Sequence, residues 1–328
     1  MLRRTIVLTV VLGLLSGLIL TLDQNQERER KKARYPLAGL DLINIKQVEI
    51  SNSYRKFVLK NVAYGGTSAV SSGQAGLGMW RLAANEEALL DLGQLQTFFK
   101  SLFSFQVADA FDPDPSVDQS SFGLNPPALE ISVVSKSGTF SIRFGNFNQY
   151  LAARYAVISG AKQIMLVPPD LFEAAEKPRK DFLQLQLFPF ELDKVREVEI
   201  LGEVGQQRLR REGDSWSING KPASPVFVQG FLKNLSSLKA VDVCEGKGDF
   251  GFTKPRLKIT VKGAEEQSFG QIVLLVGKAA KLEGGVENMY YALGLNGKVP
   301  YLIDGRTLKK ISPREEALLD DSGLEREE

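Results

Sequence analysis

The 328-residue chain has no histidine and a single cysteine, Cys244. Without an imidazole there is no Ser-His-Asp triad, no Cys-His pair and no His-ligated metal. One thiol makes no intramolecular disulfide, no Cys-rich zinc site and no iron–sulfur cluster. Cys244 follows the alternating apolar Val241 and Val243 and reads as a structural thiol. Basic surplus is missing from most of the chain too. Residues 1–34 carry seven Lys and Arg against three Asp and Glu, a net of +4 within a total of +2, so the remainder is net −2. Nucleic-acid affinity rests on neutralising phosphates, so no nucleic-acid partner is expected.

Several loop chemistries are absent as well. The glycine-laden "GGTSAVSSGQAGLG", Gly65 to Gly78, has no lysine and leads into a strand, so it fails the phosphate-cradling pattern and reads as a mobile excursion. "VGKAAKLEGG", Val276 to Gly285, fails the same test. "FDPDPSVDQ" gathers Asp112, Asp114 and Asp118 but interleaves two prolines and lacks the Asp-x-Asp-x-Asp-Gly order of a calcium loop; it reads as a solvated turn. No metal, cofactor or catalytic residue is expected.

What is present begins with "TIVLTVVLGLLSGLILTL", Thr5 to Leu22, eighteen residues without a charge. As a helix it would reach about 27 Å, enough for a bilayer core. No Ala-x-Ala-like site ends it, so it reads as an uncleaved transmembrane anchor behind a stub of residues 1–4. A charged juxtamembrane segment, 23–43, follows. Arg3, Arg4, Arg28, Arg30, Lys31, Lys32 and Arg34 form the membrane-proximal basic set, suited to anionic headgroups. Counting Lys and Arg alone would leave the body in the cytoplasm. The five basic residues after the span begin six positions beyond it and are interleaved with acids, and a short N-terminus with paired arginines is the usual signal-anchor form. The body is therefore expected outside the cytoplasm, held to the membrane by one pass.

The remaining chain says the same thing twice. "FGLNPPALEISV", Phe122 to Val133, is answered by "FGFTKPRLKITV", Phe250 to Val261. In each, apolar residues alternate with polar ones, the mark of a strand with one buried and one wet face. Upstream, "NIKQVEI" (44–50) matches "KVREVEI" (194–200), and "MWRL" with Trp80 matches "SWSI" with Trp216. A helix is then expected in each copy. Leu95, Phe98, Leu102 and Phe105 share one face in the first; Phe227, Phe231, Leu235 and Leu238 do so in the second. Asp91 stands ready to cap the first helix, and Ser224-Pro225 the second. Downstream, "FSIRFG" pairs with "IVLLVG", "RYAVIS" with "YYALGL", and "QIMLV" with "VPYLI". Each copy thus predicts three strands, a helix, four strands and a short helix near Leu171 or Leu308.

The fold class that follows is α+β: two tandem homologous domains, each a largely antiparallel sheet covered by an amphipathic helix, behind one N-terminal transmembrane helix. Boundaries fall at 44–176 for the first repeat and 194–312 for the second. Between them 177–193, with Phe182, Leu183, Leu185, Leu187 and Phe188, reads as a packed connector, and 313–328 as a frayed acidic tail.

The order of these signals, a tryptophan strand, an amphipathic helix, an "FGL…P" strand, an "FG" turn and a Tyr-Ala strand, duplicated behind an anchor, resembles the bacterial family of domain of unknown function 4340 over residues 45–312. The resemblance implies an accessory protein of ABC transporter systems of the gliding-motility type, facing the cell envelope, with a permease or ATPase as partner. It brings no catalytic residues.

The expected function is that of a membrane-anchored, extracytoplasmic scaffold acting by protein or polymer binding, not an enzyme. Two alternatives stand beside it. One is an envelope polysaccharide binder, with Tyr155 and Tyr291 as matched candidates and Tyr150 and Tyr290 nearby. The other is a carboxylate-based glycan hydrolase, which needs two acids roughly 5–10 Å apart. Asp109 and Asp242 sit at equivalent points after the two helices, hence in separate domains, and read as structural acids in turns.

Overall fold

In the computed structural model, residues 37, 40–64, 74–114, 116–203, 205–244, 248–263, 270–281, 288–294 and 297–319 are described. The anchor at 5–22, the seven basic residues around it and most of the Gly65–Gly78 stretch lie outside them. Among the described residues no helix is long and apolar enough to cross a membrane.

The fold is α+β, two antiparallel sheets with few helices, in two compact units. Unit 1 takes residues up to Ala83 and Leu92–Arg179; unit 2 takes Ala84–Asp91 and everything from Lys180. In unit 1 the strands are β1 (Ile45–Ser51), β2 (Lys56–Asn61), β3 (Trp80–Leu82), β4 (Asp109–Phe111), β5 (Leu129–Ser135), β6 (Gly138–Asn148), β7 (Ala153–Ile158) and β8 (Ile164–Val167). Its helices are α1 (Leu92–Phe103) and α2 (Asp170–Ala175), preceded by a single turn at Gln74–Leu77. Unit 2 has β9 (Val195–Gly202), β10 (Gly205–Glu212), β11 (Ser215–Ile218), β12 (Lys221–Ala223), β13 (Asp242–Val243), β14 (Leu257–Gly263), β15 (Gln271–Ala279), β16 (Met289–Leu293) and β17 (Tyr301–Asp304). Helices α3 (Pro225–Ser236) and α4 (Gly305–Ile311) complete it.

Strand order is β3-β2-β1-β5-β6-β7-β8-β4 in one sheet and β12-β11-β10-β9-β14-β15-β16-β17-β13 in the other. The orders coincide position by position, with β12 added at one edge. Alternation explains the strands. Leu129, Ile131 and Val133 on β5 and Leu257, Ile259 and Val261 on β14 are buried, as are Val48 and Ile50 on β1 and Val198 and Ile200 on β9. Thr260 departs from the expected wet face and is buried, flanked in register by Glu199 and Val273.

The helices cover these apolar faces. On α1, Leu95, Phe98, Phe99 and Leu102 are buried, and Phe99 meets Trp80 with ring centroids 4.6 Å apart. Phe105 and Phe172 both stand edge-on to Phe144 of β6, at 6.2 and 5.9 Å. On α3 the buried residues are Val228, Phe231, Leu232 and Leu235, with Leu238 just beyond. Phe227, expected on that face, is 54% exposed. With Pro225 setting the first turn, the core-facing stripe runs through Val228 and Leu232 instead. Ser224 occupies the N-cap position, but its side chain makes no capping bond.

Three further differences from expectation have local causes. Asp109 and Asp242 open short edge strands paired to β8 and β17, not turns. Alternation cannot reveal strands of two or three residues. The tail does not fray from residue 313. Leu318 is buried, its carbonyl accepts from Ser224 N–H, and Leu319 bridges to Ala223 on the β12 edge. Finally, the segment Ala84–Asp91 belongs to unit 2, where Leu90 bridges Leu183 and Asp91 N–H donates to the Phe182 carbonyl. Phe182, Leu183, Leu187 and Phe188 of the 177–193 stretch are buried.

The repeated Phe-Gly has a backbone reason. Gly123 and Gly251 sit at φ of 70° and 81°, a left-handed conformation that costs a side chain dearly. A Cβ on Gly145 would overlap the Phe122 carbonyl, and one on Gly277 the Phe250 carbonyl. The phrase "FG…P" and the later "FG" or "VG" are therefore two halves of one contact, made once in each unit.

Candidate functional site

The matched tyrosines fall beside that contact. Tyr155 is half-buried among Phe111 and Phe122, and its hydroxyl accepts from Asn148 Nδ2 at 2.9 Å. Tyr291 is half-buried against Phe250. Both rings spend their faces on packing within their own unit. Tyr150 is 99% exposed at the β6–β7 turn. Tyr290, by contrast, lines a cleft.

That cleft lies in unit 2 where the end of β9 approaches α4. An inner cavity of about 220 Å³ is bounded by Gly202, Glu203, Arg256, Tyr290, Leu308 and Lys309. It shares Gly202, Glu203 and Arg256 with an open groove of about 510 Å³ reaching Lys254 and Lys278. The Arg256 Nε donates to Glu203 Oε1, and its guanidinium carbon stands 5.2 Å from the Tyr290 ring centre. The hydrogen bond to Glu203 raises the Arg256 pKa further. The Tyr290 hydroxyl reaches Asn288 Oδ1 at 3.3 Å, and Lys278 Nζ pairs with Asp249 at 3.1 Å. Asp249 is held below the usual carboxylate range by the Gly251 N–H first and by Lys278 second.

The equivalent place in unit 1 is filled. Strand register pairs Arg154 with Val167 and Tyr290 with Ile303, so these residues correspond. Asn52, where unit 2 has Gly202, donates through Nδ2 to the carbonyls of Ala175 at 2.9 Å and Lys177 at 2.8 Å. Ser53 bonds Glu176 Oε1 through both its N–H and its hydroxyl. The Arg154 guanidinium carbon lies over Phe172 of α2, 3.4 Å from the ring centre, and its Nη1 donates to the Gly145 carbonyl. Burial pulls the Arg154 pKa down, while Glu176 and Glu173 oppose the shift. Closing the site strands two groups: Arg154 Nε and Glu176 Oε2 are buried with no hydrogen-bond partner.

On the polar face of unit 2 runs a second charged array. Glu197 on β9 accepts from Arg208 and Arg210 of β10 and from Lys262 of β14, at 2.8, 3.0 and 2.7 Å. Burial would raise its carboxyl, but the bonds from Lys262, Arg210 and Arg208 outweigh burial and hold it at about 2. The pairs cross from β9 to both neighbouring strands, so this array ties the sheet together.

The acids raised by the sequence do not assemble. Asp109 and Asp242 lie one in each unit and accept from the next residue's N–H, both at 2.8 Å. Asp114 and Asp118 accept from Ser116 and Ser120, which lower both carboxyls. Among the described residues no group of three or more His, Cys, Asp or Glu could hold a metal. The cleft residues Glu203, Arg256, Lys278 and Lys309 carried no motif. Their signal was the exchange of charge between the aligned copies, already present where Lys254 and Arg256 stand opposite Pro126 and Ala128 in the repeated phrase.

No curated protein and no solved structure matches the chain. Residues 80–249 match the family model described as a domain of unknown function (DUF4340). The matched stretch runs from the first residue of β3, across α1 and α3, to the loop after β13. It covers more than half of the 328 residues, and the chain belongs to the DUF4340 family.

Proposed function

We propose that the protein is a membrane-anchored, extracytoplasmic accessory subunit of an ABC-type transporter or gliding-motility-like complex, and that it acts by binding. The uncharged run Thr5–Leu22 supplies the anchor. Two homologous domains in tandem supply the body, as the shared strand order supports. The observation that carries the binding role is the contrast at one position of the fold. Unit 1 fills it with Asn52, Arg154 and Phe172, whereas unit 2 leaves a charged cleft beside Tyr290. A duplicated scaffold with this position sealed in one copy and open in the other is suited to present a single ligand site.

The reading is tested by gentle detergent extraction of a tagged chain from its native membrane. A permease or ATPase should co-elute; a clean monomer in several mild detergents overturns the transporter role. Alkaline carbonate washing tests the anchor. The full chain should stay in the membrane, and a chain lacking residues 1–34 should be released folded.

A further inference from the structure

We infer that the unit 2 cleft binds a small organic anion, one phosphate or carboxylate on a compact polar body, held between Lys254, Arg256 and Lys309 beside the Tyr290 ring. The inference rests on the reading of the chain as a binding subunit and adds the class of ligand.

The two units serve as each other's control. Where unit 2 has Lys254, Arg256, Lys278 and Lys309, unit 1 has Pro126, Ala128, Asn146 and Glu173. Four cations thus stand where unit 1 has three uncharged residues and an acid. Among the described residues the acids facing them are Glu203, bonded to Arg256, and Asp249, bonded to Lys278. Lys254 lines the open groove and Lys309 the inner cavity, both with exposed side chains and neither in an ion pair among the described residues.

Room is made by the same exchanges. Gly202 replaces Asn52, whose amide closes unit 1; Leu308 replaces Phe172; Ser312 replaces Glu176. Arg256 is pre-set for an anion, because Glu203 takes its Nε and Tyr290 lies beneath the guanidinium. A guanidinium fixed in this way loses little freedom when it pairs with a phosphate or carboxylate. The inner cavity, about 220 Å³, suits the charged end of a small molecule, and the open groove leaves space for the rest. The anion can come from a free molecule, such as a sugar phosphate, or from a lipid headgroup.

The test uses the full chain in nonionic detergent, following thermal unfolding by tryptophan fluorescence. Inorganic phosphate and glucose 6-phosphate are titrated, with glucose as the neutral comparison, and phosphatidylglycerol is tested in mixed micelles against phosphatidylcholine. The comparison protein is the double variant Lys254→Gln, Lys309→Gln. Both side chains are exposed, so the variant should fold as the parent does. The anions should raise the melting temperature and glucose should not, since a ligand bound only by the folded state stabilises it. In the double variant the concentration needed should rise about tenfold or more. Comparing parent with variant also subtracts any binding by the basic N-terminal segment. A response confined to the soluble phosphates assigns the anion to a free molecule, and one confined to phosphatidylglycerol assigns it to a headgroup; both uphold the site. Equal responses from parent and variant, or none from the parent to any anion, overturn it. A chain that co-purifies with transporter subunits but gives no anion response loses this ligand and keeps its accessory role.

Discussion

Phe122 meets Tyr155 edge-to-face, with ring centroids 5.0 Å apart and planes at 66°. Phe250 repeats the contact against Tyr291 at 4.9 Å and 65°. The agreement places the repeated Phe-Gly and the repeated tyrosine strand in one local arrangement, held by the carbonyl of each Phe against Gly145 or Gly277.

Replacing Gly277 with Ala therefore forces a methyl group into the Phe250 backbone, which cannot swing aside as a side chain would. The expected loss is about 1–3 kcal/mol, the range for overpacking a fitted site. Gly230, inside α3, has open space around its missing Cβ. Gly230→Ala should instead stabilise by about 0.5–1 kcal/mol through helix propensity and a stiffer unfolded chain. Urea unfolding of the two variants side by side checks both signs. Equal losses would show that the carbonyl contact contributes nothing.

This contact also marks what was legible in the sequence. Long alternating strands, the paired tryptophans and the face of α1 were readable because period-two and 3.6-residue patterns are set by burial alone. The α3 face was misread by one position because Phe227 lies at a spacing of four from Phe231, and helical spacing does not say which of two neighbouring stripes meets the core. Strands β4, β12 and β13 are too short to show a period. The cleft was hidden for a different reason. It is made by residues smaller than their unit 1 counterparts, Gly202, Leu308 and Ser312, together with charges that look like an ordinary solvated edge. The aligned repeats show Lys254 and Arg256 as departures from Pro126 and Ala128, but the sequence does not show that they border a cavity.

The corrected helix face gives a paired measurement. Phe98 is fully buried on α1, so Phe98→Ala should cost about 3–5 kcal/mol. Phe227→Ala should cost less than about 1 kcal/mol, since that ring is already more than half in water. Denaturant midpoints at constant slope decide it. A Phe227 loss as large as that of Phe98 would restore the stripe read from sequence.

The Glu197 array makes stability depend on pH in a stated direction. Glu197 in the folded chain is held at about 2, below the ordinary glutamate value of 4.5, so the folded state holds its proton more weakly than the unfolded state. The stabilisation is complete above the unfolded value and is lost as pH falls from about 5 towards 2. The outer ends of Arg208, Arg210 and Lys262 are between 36% and 53% exposed. Solvent screening there limits the contribution to about 1–2 kcal/mol. Glu197→Gln should lose that amount at neutral pH and match the parent near pH 2. A stability difference unchanged between pH 7 and pH 2.5 would show that the three cations do not act through the carboxylate charge.

Leu318 tests whether the chain beyond Ser312 belongs to the fold of unit 2. It is 2% exposed, and the turn that carries it is tied at several points. Ser224 N–H donates to the Leu318 carbonyl at 3.0 Å, Gln207 Nε2 to the Pro313 carbonyl at 3.1 Å, and Lys221 and Asn219 both bond Glu315, at 2.9 and 2.7 Å. The backbone bonds protect the exposed edge at β12, where an unpaired strand would otherwise invite association. Leu318→Ala leaves them in place and removes only the buried side chain. It should cost about 2–3 kcal/mol, near the lower end of the range for a core leucine, because the surrounding turn can partly close the gap. Glu315→Gln gives up an exposed ion pair and should leave the unfolding midpoint close to the parent's. Hydrogen exchange separates a local from a cooperative effect. If the tail is part of the sheet, Leu318→Ala should lower protection in β11 and β12 along with that of Ser224, whereas a tail merely resting on the surface would lose its own protection and leave those strands unchanged.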